Sequence, residues 1–338
     1  MVRVGIVGLG GMGNMHFGIY QEMEDAEVVA IADTNEEKLT PGESSQEINI
    51  GEGGATIDPD KQKLYTDPAE LMEDDDVDMV DICLPTFLHA ENCIKALQAG
   101  KHVFCEKPMA FNSEECQQIL DALEDSEGQL MVGHCIRFWP EYVYLKEAVE
   151  SGRMGNLREL EMWRGGAMPG WSWEGWLTDH NRSGGAILDL HIHDVDFVHY
   201  LLGKPRSVSA TGSTGPSGGY DAVRAFYRFE DSVTVSTGAN MNLPEAFGFE
   251  MRFMAVFESG ALIFNSRKSP GLVEMTPSGE KHPDIPETDG YHEEIEYFLK
   301  CIENNEMPAI ATPESSAYSI KLVEAEAESI ESGESVKL

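Results

Sequence analysis

The sequence predicts an α/β protein in two parts: an N-terminal doubly wound parallel sheet over residues 1–134, and a C-terminal α+β domain over 135–338 with a large, mainly antiparallel open sheet. Three observations predict it. From Val4 to Gly133, short β-branched runs alternate with segments of helical apolar spacing, as parallel strands joined by crossover helices require. A glycine-rich turn opens the first crossover. From Arg206 to Phe264, strand patterns follow one another with only turn signals between them, which gives antiparallel neighbours.

The first strand, Val4 to Val7, runs into Gly8-Leu9-Gly10-Gly11-Met12-Gly13, a G-x-G-x-x-G spacing. Met12 to Met23 has helical apolar spacing, so Gly13 sits at a helix N-terminus, whose free N–H groups and positive dipole end suit a pyrophosphate. Glycine turns also serve simple chain reversal, so the context matters. It comes from Val28 to Ala32, a second strand ending in Asp33, where a carboxylate can accept hydrogen bonds from the adenosine ribose of a dinucleotide. A carboxylate there repels a 2′-phosphate, so NAD is favoured over NADP as the cofactor held by Gly8, Gly10, Gly11, Met12, Gly13 and Asp33.

Residues 34–63 carry loop chemistry, with a short helix at Asn35 to Leu39 followed by a long mobile excursion. Pattern resumes with a helix from Asp67-Pro68, a strand from Met79 to Leu84 broken by Pro85, and a helix from His89 to Gln98 stopped by Gly100. The strand Lys101 to Cys105 ends at Glu106-Lys107-Pro108, at the carboxyl edge of the sheet, where doubly wound folds bind ligands. A helix from Ser113 to Glu124 and a strand from Gln129 to Gly133 complete a Rossmann-like unit.

Beyond Phe138 come a helix (Tyr142 to Glu150), a strand (Leu157 to Trp163) and a loop holding Trp171, Trp173 and Trp176. Aromatic clusters are usually packing, but beside polar groups they also suit sugar rings. A helix over 185–202 leads into the strand series, and helices from Tyr291 to Ile302 and Pro313 to Ile330 close the chain.

Composition removes whole classes of function. The 24 Lys plus Arg against 60 Asp plus Glu give a formal charge of −36, a field that repels nucleic acid and anionic membrane. Acidic runs such as Glu73 to Asp76 form hydrated faces, and adaptation to a salty medium would tolerate them. No apolar run approaches the roughly 20 residues that cross a bilayer, and no basic leader precedes the first strand, so a cytoplasmic protein is expected. Cys83, Cys93, Cys105, Cys116, Cys135 and Cys301 include no C-x-x-C pair and read as reduced core thiols.

The chemistry concentrates in Gly184-Gly185-Ala186-Ile187-Leu188-Asp189-Leu190-His191-Ile192-His193-Asp194-Val195-Asp196. On a continuous helix Asp189, His193 and Asp196 share one face, and a carboxylate one turn from an imidazole fixes its tautomer and raises its basicity. A core or capping histidine is the plainer alternative for His193. A metal site using His191, His193, Asp194 and His199 is another, but residues two apart on a helix do not face one ion, and no metal is expected.

The glycine turn, Leu84-Pro85-Thr86-x-x-His89, Ala99-Gly100-Lys101-His102-Val103 running into Glu106-Lys107-Pro108, and Gly184-Gly185...Asp189...His193 together resemble the glucose-fructose oxidoreductase, inositol dehydrogenase and rhizopine catabolism (Gfo/Idh/MocA) family over nearly the whole chain. The resemblance implies an NAD-dependent dehydrogenase of a cyclic polyol or sugar, with Lys107, Asp189 and His193 as catalytic residues. His193 would take the hydroxyl proton, Lys107 would stabilise the developing negative charge on that oxygen, and Asp189 would orient His193 or bind a neighbouring hydroxyl. It further implies a cis Lys107-Pro108 bond, and Pro85, Thr86, His89 and Glu106 along the nicotinamide ribose and ring. Arg137, Trp139, Trp163, Trp176 and Tyr291 are candidate substrate contacts. An internal-redox lyase or hydrolase, an NADPH-dependent ketosugar reductase and a non-catalytic NAD sensor are the rival functions. The open sheet is expected to be buried in a homodimer or homotetramer.

Overall fold

The apolar runs of the N-terminal part form one parallel sheet. The computed structural model describes residues 1–46 and 53–338. Its first elements are β1 (Val2–Val7), α1 (Gly11–Glu22), β2 (Ala26–Ala32), β3 (Gly42–Gln46), β4 (Gly53–Ile57), β5 (Lys63–Tyr65), α2 (Pro68–Met72), β6 (Met79–Ile82), α3 (His89–Gln98), β7 (His102–Glu106), α4 (Ser113–Glu124) and β8 (Leu130–Gly133). The sheet runs β5-β2-β1-β6-β7-β8, every pair parallel. Strands β6 and β8 are buried along their whole length, the continuous apolar pattern of a sheet covered on both faces. The strand order reverses between β1 and β6, which places the ligand crevice of such a sheet outside the carboxyl ends of those strands.

Local chemistry sets the helix ends. The Asp67 carboxylate accepts from Ala69 N at 2.9 Å ahead of Pro68, Asn112 accepts from Glu115 N at 2.9 Å, and Gly100 ends α3 at φ +74°. The expected helix after Asp33 is a 3-10 turn at Glu36–Leu39. The loop expected after it is in part a ladder: β3 and β4 pair antiparallel from Gly42↔Ile57 to Gln46↔Gly53. Gln21 of α1 holds this ladder, donating to Thr56 O at 2.9 Å and accepting from Thr56 N at 3.2 Å. Ala55 and Ile57 of β4 are buried as well, and two apolar positions in a strand this short are too few to stand out as a period among the glycines and polar residues around them. Residues 47–52 of the expected loop lie outside the described residues.

The remaining elements are α5 (Pro140–Ser151), β9 (Leu157–Gly166), α6 (His180–Ser183), α7 (Ala186–Asp189), α8 (Ile192–Leu202), β10 (Ser207–Thr214), β11 (Tyr220–Arg228), β12 (Thr234–Asn240), β13 (Phe249–Phe257), β14 (Ala261–Asn265), β15 (Leu272–Thr276), β16 (Gly279–Lys281), α9 (Gly290–Asn304), α10 (Pro313–Ser332) and β17 (Val336–Lys337). The chain divides into two units, Met1–His134 with Tyr291–Ala317, and Cys135–Gly290 with Tyr318–Leu338. The sequence pattern groups 291–317 with the C-terminal part, but Phe298 of α9 packs on Phe104 of β7 with ring centroids 6.0 Å apart.

The second unit's sheet runs β16-β15-β14-β13-β9-β12-β11-β10-β17, antiparallel except for the parallel β9–β12 pair. Burial alternates along β13, so one face is covered and the other is more open. On β9, Leu160, Met162 and Arg164 are buried, and Arg164 reaches Asp194 of α8.

The helix expected over 185–202 is broken. α7 ends at Asp189 and α8 begins at Ile192, and His191 N bonds back five residues to Ala186 O at 2.7 Å. This π-type turn rotates everything after it relative to Asp189, so a common face for Asp189, His193 and Asp196 does not follow from their spacing. No disulfide joins the six cysteines, all buried, and among the described residues no helix is long and apolar enough to cross a membrane.

Candidate active site

In the first unit, the glycines of the G-x-G-x-x-G turn divide by what surrounds them. A Cβ on Gly8, whose φ is +97°, would lie 2.7 Å from Cys83 O, and one on Gly13 would lie 1.9 Å from Gly8 O. Both are demanded by the fold itself. A Cβ on Gly10 would meet nothing within 4 Å. Space is left open there where the N-terminus of α1 begins at Gly11 and Met12, the cradle that a pyrophosphate needs.

Asp33 ends β2 beside this turn. Its Oδ2 accepts from Leu9 N at 2.8 Å and its Oδ1 from Asn35 N at 2.9 Å, so the acid braces the glycine turn. The residues present fit a dinucleotide.

The next two carboxyl ends carry the other predicted groups. After β6, half-buried Pro85 precedes the buried Thr86. His89 is buried too, with Nδ1 2.7 Å from Pro108 O and Nε2 2.8 Å from Leu84 O. Both ring nitrogens are thus engaged by backbone, and His89 ties the Leu84-Pro85 segment to Pro108 instead of presenting a nitrogen to a ligand. Burial lowers its pKa. After β7, Glu106 Oε2 accepts from Lys107 N at 3.1 Å, Lys107 is half-buried, and the Lys107-Pro108 bond is cis.

Beneath these loops lies a polar network that the sequence reading missed. His16 Nδ1 is 2.9 Å from Asp81 Oδ2, Tyr20 OH donates to the same oxygen at 2.9 Å, and His16 Nε2 is 3.3 Å from Glu106 Oε1. Asp81 in the otherwise apolar run Met79-Val80-Asp81-Ile82 is the signal that could have exposed it. His16, Asp81 and Cys83 are metal-ligand types, as are His16, Glu106 and Glu294. Ligand atoms around a tetrahedral zinc stand about 3.3 Å apart, whereas the 2.9 Å His16–Asp81 spacing is that of a hydrogen bond.

In the second unit, His193 lies in the first turn of α8 and is 9% exposed, and half-buried Asp189 closes α7. Gly184 and Gly185 lead into this pair at φ +76° and +74°. Asp196 goes elsewhere: Arg137 holds it through Nε–Oδ2 at 2.8 Å and Nη2–Oδ1 at 2.6 Å, and Ser319 donates to Oδ1 at 2.8 Å. Arg137, expected to touch substrate, is 3% exposed and spends its guanidinium on this ion pair. Arg164 and Asp194 form a second buried pair at 2.8 and 3.1 Å. His191 is fully buried, its Nε2 3.1 Å from Glu326 Oε2 and 3.3 Å from Thr237 Oγ1, with Tyr227 OH donating to Glu326. His191 and Asp194 therefore go to separate partners.

Side chains alternate along a strand, so Trp163 faces away from the side on which Arg164 meets α8. It stands beside Phe247 and Arg252. Trp176 is half-buried in the 3-10 stretch Trp173–Thr178, Trp139 precedes α5, and Tyr291 lies in the first turn of α9, in the first unit.

Residues 2–134 match the family model described as "Oxidoreductase family, NAD-binding Rossmann fold", and residues 142–263 match the GFO/IDH/MocA C-terminal domain. A myo-inositol 2-dehydrogenase of Thermotoga maritima is 30% identical over 352 residues, covering 100% of this chain and 98% of the relative. The chain belongs to the GFO/IDH/MocA oxidoreductase family. An inositol 2-dehydrogenase of Rhizobium meliloti is 27% identical over 343 residues, covering 94% of this chain and 97% of that one. Among solved structures, levoglucosan dehydrogenase in complex with NADH and levoglucosan shares the fold at a TM-score of 0.84 and 23% identity, covering 99% of this chain and 98% of that one. As a member of this family the chain is an oxidoreductase with an NAD-binding Rossmann domain, related to inositol and sugar dehydrogenases.

Proposed function

We propose that this oxidoreductase oxidises a secondary hydroxyl of a cyclic polyol or sugar. The observation that carries the reading is the set of groups gathered at one sheet edge of the first unit: the open cradle at Gly10, Asp33 at the end of β2, and Lys107 directly after β7. A nicotinamide held at the glycine turn would supply the acceptor for the hydride of the carbinol carbon. His193, little exposed in the first turn of α8, acts as the base that takes the hydroxyl proton. Lys107 donates to the same oxygen and stabilises its growing negative charge, its backbone N–H anchored on Glu106. Asp189, three residues before the start of α8, orients His193 or binds a neighbouring hydroxyl. The names of the inositol and levoglucosan dehydrogenase relatives support the substrate class.

The test offers NAD and then NADP with a panel of inositols, aldoses and anhydrosugars, read at 340 nm. Accumulating NADH with a ring polyol is the expected result. A relative named 2,7-anhydro-N-acetylneuraminate hydratase, 31% identical over 219 residues, favours one other outcome: tightly kept cofactor with no net NADH, the mark of an internal redox cycle.

A homodimer or homotetramer completes the reading. The more open face of the second unit's sheet carries half-buried Trp163, Met254 and Ile263 and exposed Phe226 and Met275, interleaved with charged residues such as the Arg252–Glu161 pair, a mixed surface that a second copy would bury. Sedimentation velocity should give a dimer or larger, and Ile263→Asp should shift it toward monomer.

A further inference from the structure

In the first unit, α1, β7 and α9 each send one metal-ligand side chain to the same buried place. His16 and Glu294 are fully buried and Glu106 is 5% exposed, and a ring nitrogen of His16 and one carboxylate oxygen from each acid lie within 4.8 Å of one another. The nitrogen aimed there is Nε2, 3.3 Å from Glu106 Oε1. Neither of these two atoms makes a hydrogen bond within the described residues. Their separation is long for an N–H···O bond, and it is the spacing of two ligand atoms held about 2.0–2.1 Å from one tetrahedral zinc.

The other side of the ring is built to hold it in place. His16 Nδ1 meets Asp81 Oδ2 at 2.9 Å, and Tyr20 OH donates to the same oxygen at 2.9 Å. In a neutral ring this puts the proton on Nδ1 and the lone pair on Nε2, the carboxylate–histidine arrangement that orients a ligating imidazole and raises its basicity. Cys83 stays outside the set: its sulfur lies 3.4 Å from Nδ1, on the Asp81 side, and burial keeps the thiol protonated. Magnesium and calcium take six or more oxygens, whereas one nitrogen with two carboxylates suits zinc. Zinc also brings two positive charges to a buried place where Asp81, Glu106 and Glu294 outnumber one imidazole.

We propose that His16, Glu106 and Glu294 form a zinc site, with water as the fourth ligand, that ties α1 and α9 to the strand end carrying Lys107. Without the ion, a proton on Nε2 takes its place, so ion and proton compete for one nitrogen. The inference rests on no coenzyme and on no particular polyol, and it goes beyond the dehydrogenase reading.

Zinc binding by the full-length protein, stripped with a chelator, dialysed and titrated with zinc chloride alone, tests this. One zinc per chain with a Kd of about 1 µM or tighter is expected, and magnesium should not displace it. His16→Gln and Glu294→Gln should each weaken binding by about a hundredfold or more. His292 of α9, half-buried beside Glu293 and Glu296, belongs to a separate group of ligand types, and His292→Gln should leave the Kd within about threefold of wild type. Circular dichroism and melting of each metal-free variant check its folding. X-ray absorption at the zinc edge reads the ligands in the wild type, whatever the variants do: nitrogen and oxygen neighbours at about 2.0–2.2 Å are expected, with no sulfur at about 2.3 Å. A wild type that holds no zinc at about 10 µM free ion, a sulfur neighbour, a folded His16→Gln variant that binds as tightly as wild type, or loss of the ion in His292→Gln would each overturn the proposal.

Discussion

Asp81 Oδ2 lies 2.9 Å from His16 Nδ1, and both side chains are fully buried. Burial alone would lower the imidazole pKa, but the neighbouring Cys83 sulfur and the Asp81 carboxylate outweigh it and hold His16 well above its usual value. Of the two, Asp81 is the anion that matters, since burial also raises the Cys83 thiol and keeps it protonated. The charged ring then links α1 to Glu106 and, through Glu106, to the backbone of Lys107.

That charge makes stability depend on pH. A histidine whose folded pKa is raised contributes fully below its unfolded value of about 6.5, and the contribution is lost as pH rises toward the folded value, with a slope of up to about 1.4 kcal/mol per unit. Denaturant unfolding between about pH 6 and pH 9 should show the wild type losing stability with rising pH more steeply than His16→Gln. Parallel curves would mean that the ring is neutral in the folded protein.

The glycine turn allows a separation of fold from ligand. Gly10→Ala fills space that no protein atom occupies, so it should change stability by less than about 0.5 kcal/mol while weakening NADH binding by about tenfold or more. Gly13→Ala must displace the Gly8 carbonyl and should cost about 1–3 kcal/mol of stability as well. Melting curves and NADH titration on the same samples read both.

Arg137 should behave as a structural residue. Arg137→Met strands the buried Asp196 carboxylate and should cost about 3–5 kcal/mol in denaturant unfolding. Full stability with a raised KM would instead return Arg137 to the substrate site.

The catalytic assignment predicts a split between turnover and binding. Lys107→Ala and His193→Ala should each lower kcat by about a hundredfold or more, with NADH affinity little changed. A variant of either residue with full kcat would remove it from the mechanism.

What the sequence determined by itself is the part written locally. The Gly8 to Gly13 spacing, Asp33 at a strand end, the Asp67-Pro68 and Asn112 caps and the strand endings at Pro85 and Lys107 are short-range backbone chemistry, readable within a few residues, and they carried the parallel sheet and its ligand edge. Tertiary structure decided the partners of buried charges, because the spacing of His16 and Asp81, or of Arg137 and Asp196, along the chain says nothing of who meets whom. It placed α9 beside β7 through Phe298 and Phe104, and turned Trp163 to the face away from α8. It also opened the helix at His191, where one extra residue in a turn undid a face that uniform helical periodicity would have built, and it brought Lys38 onto Asp33.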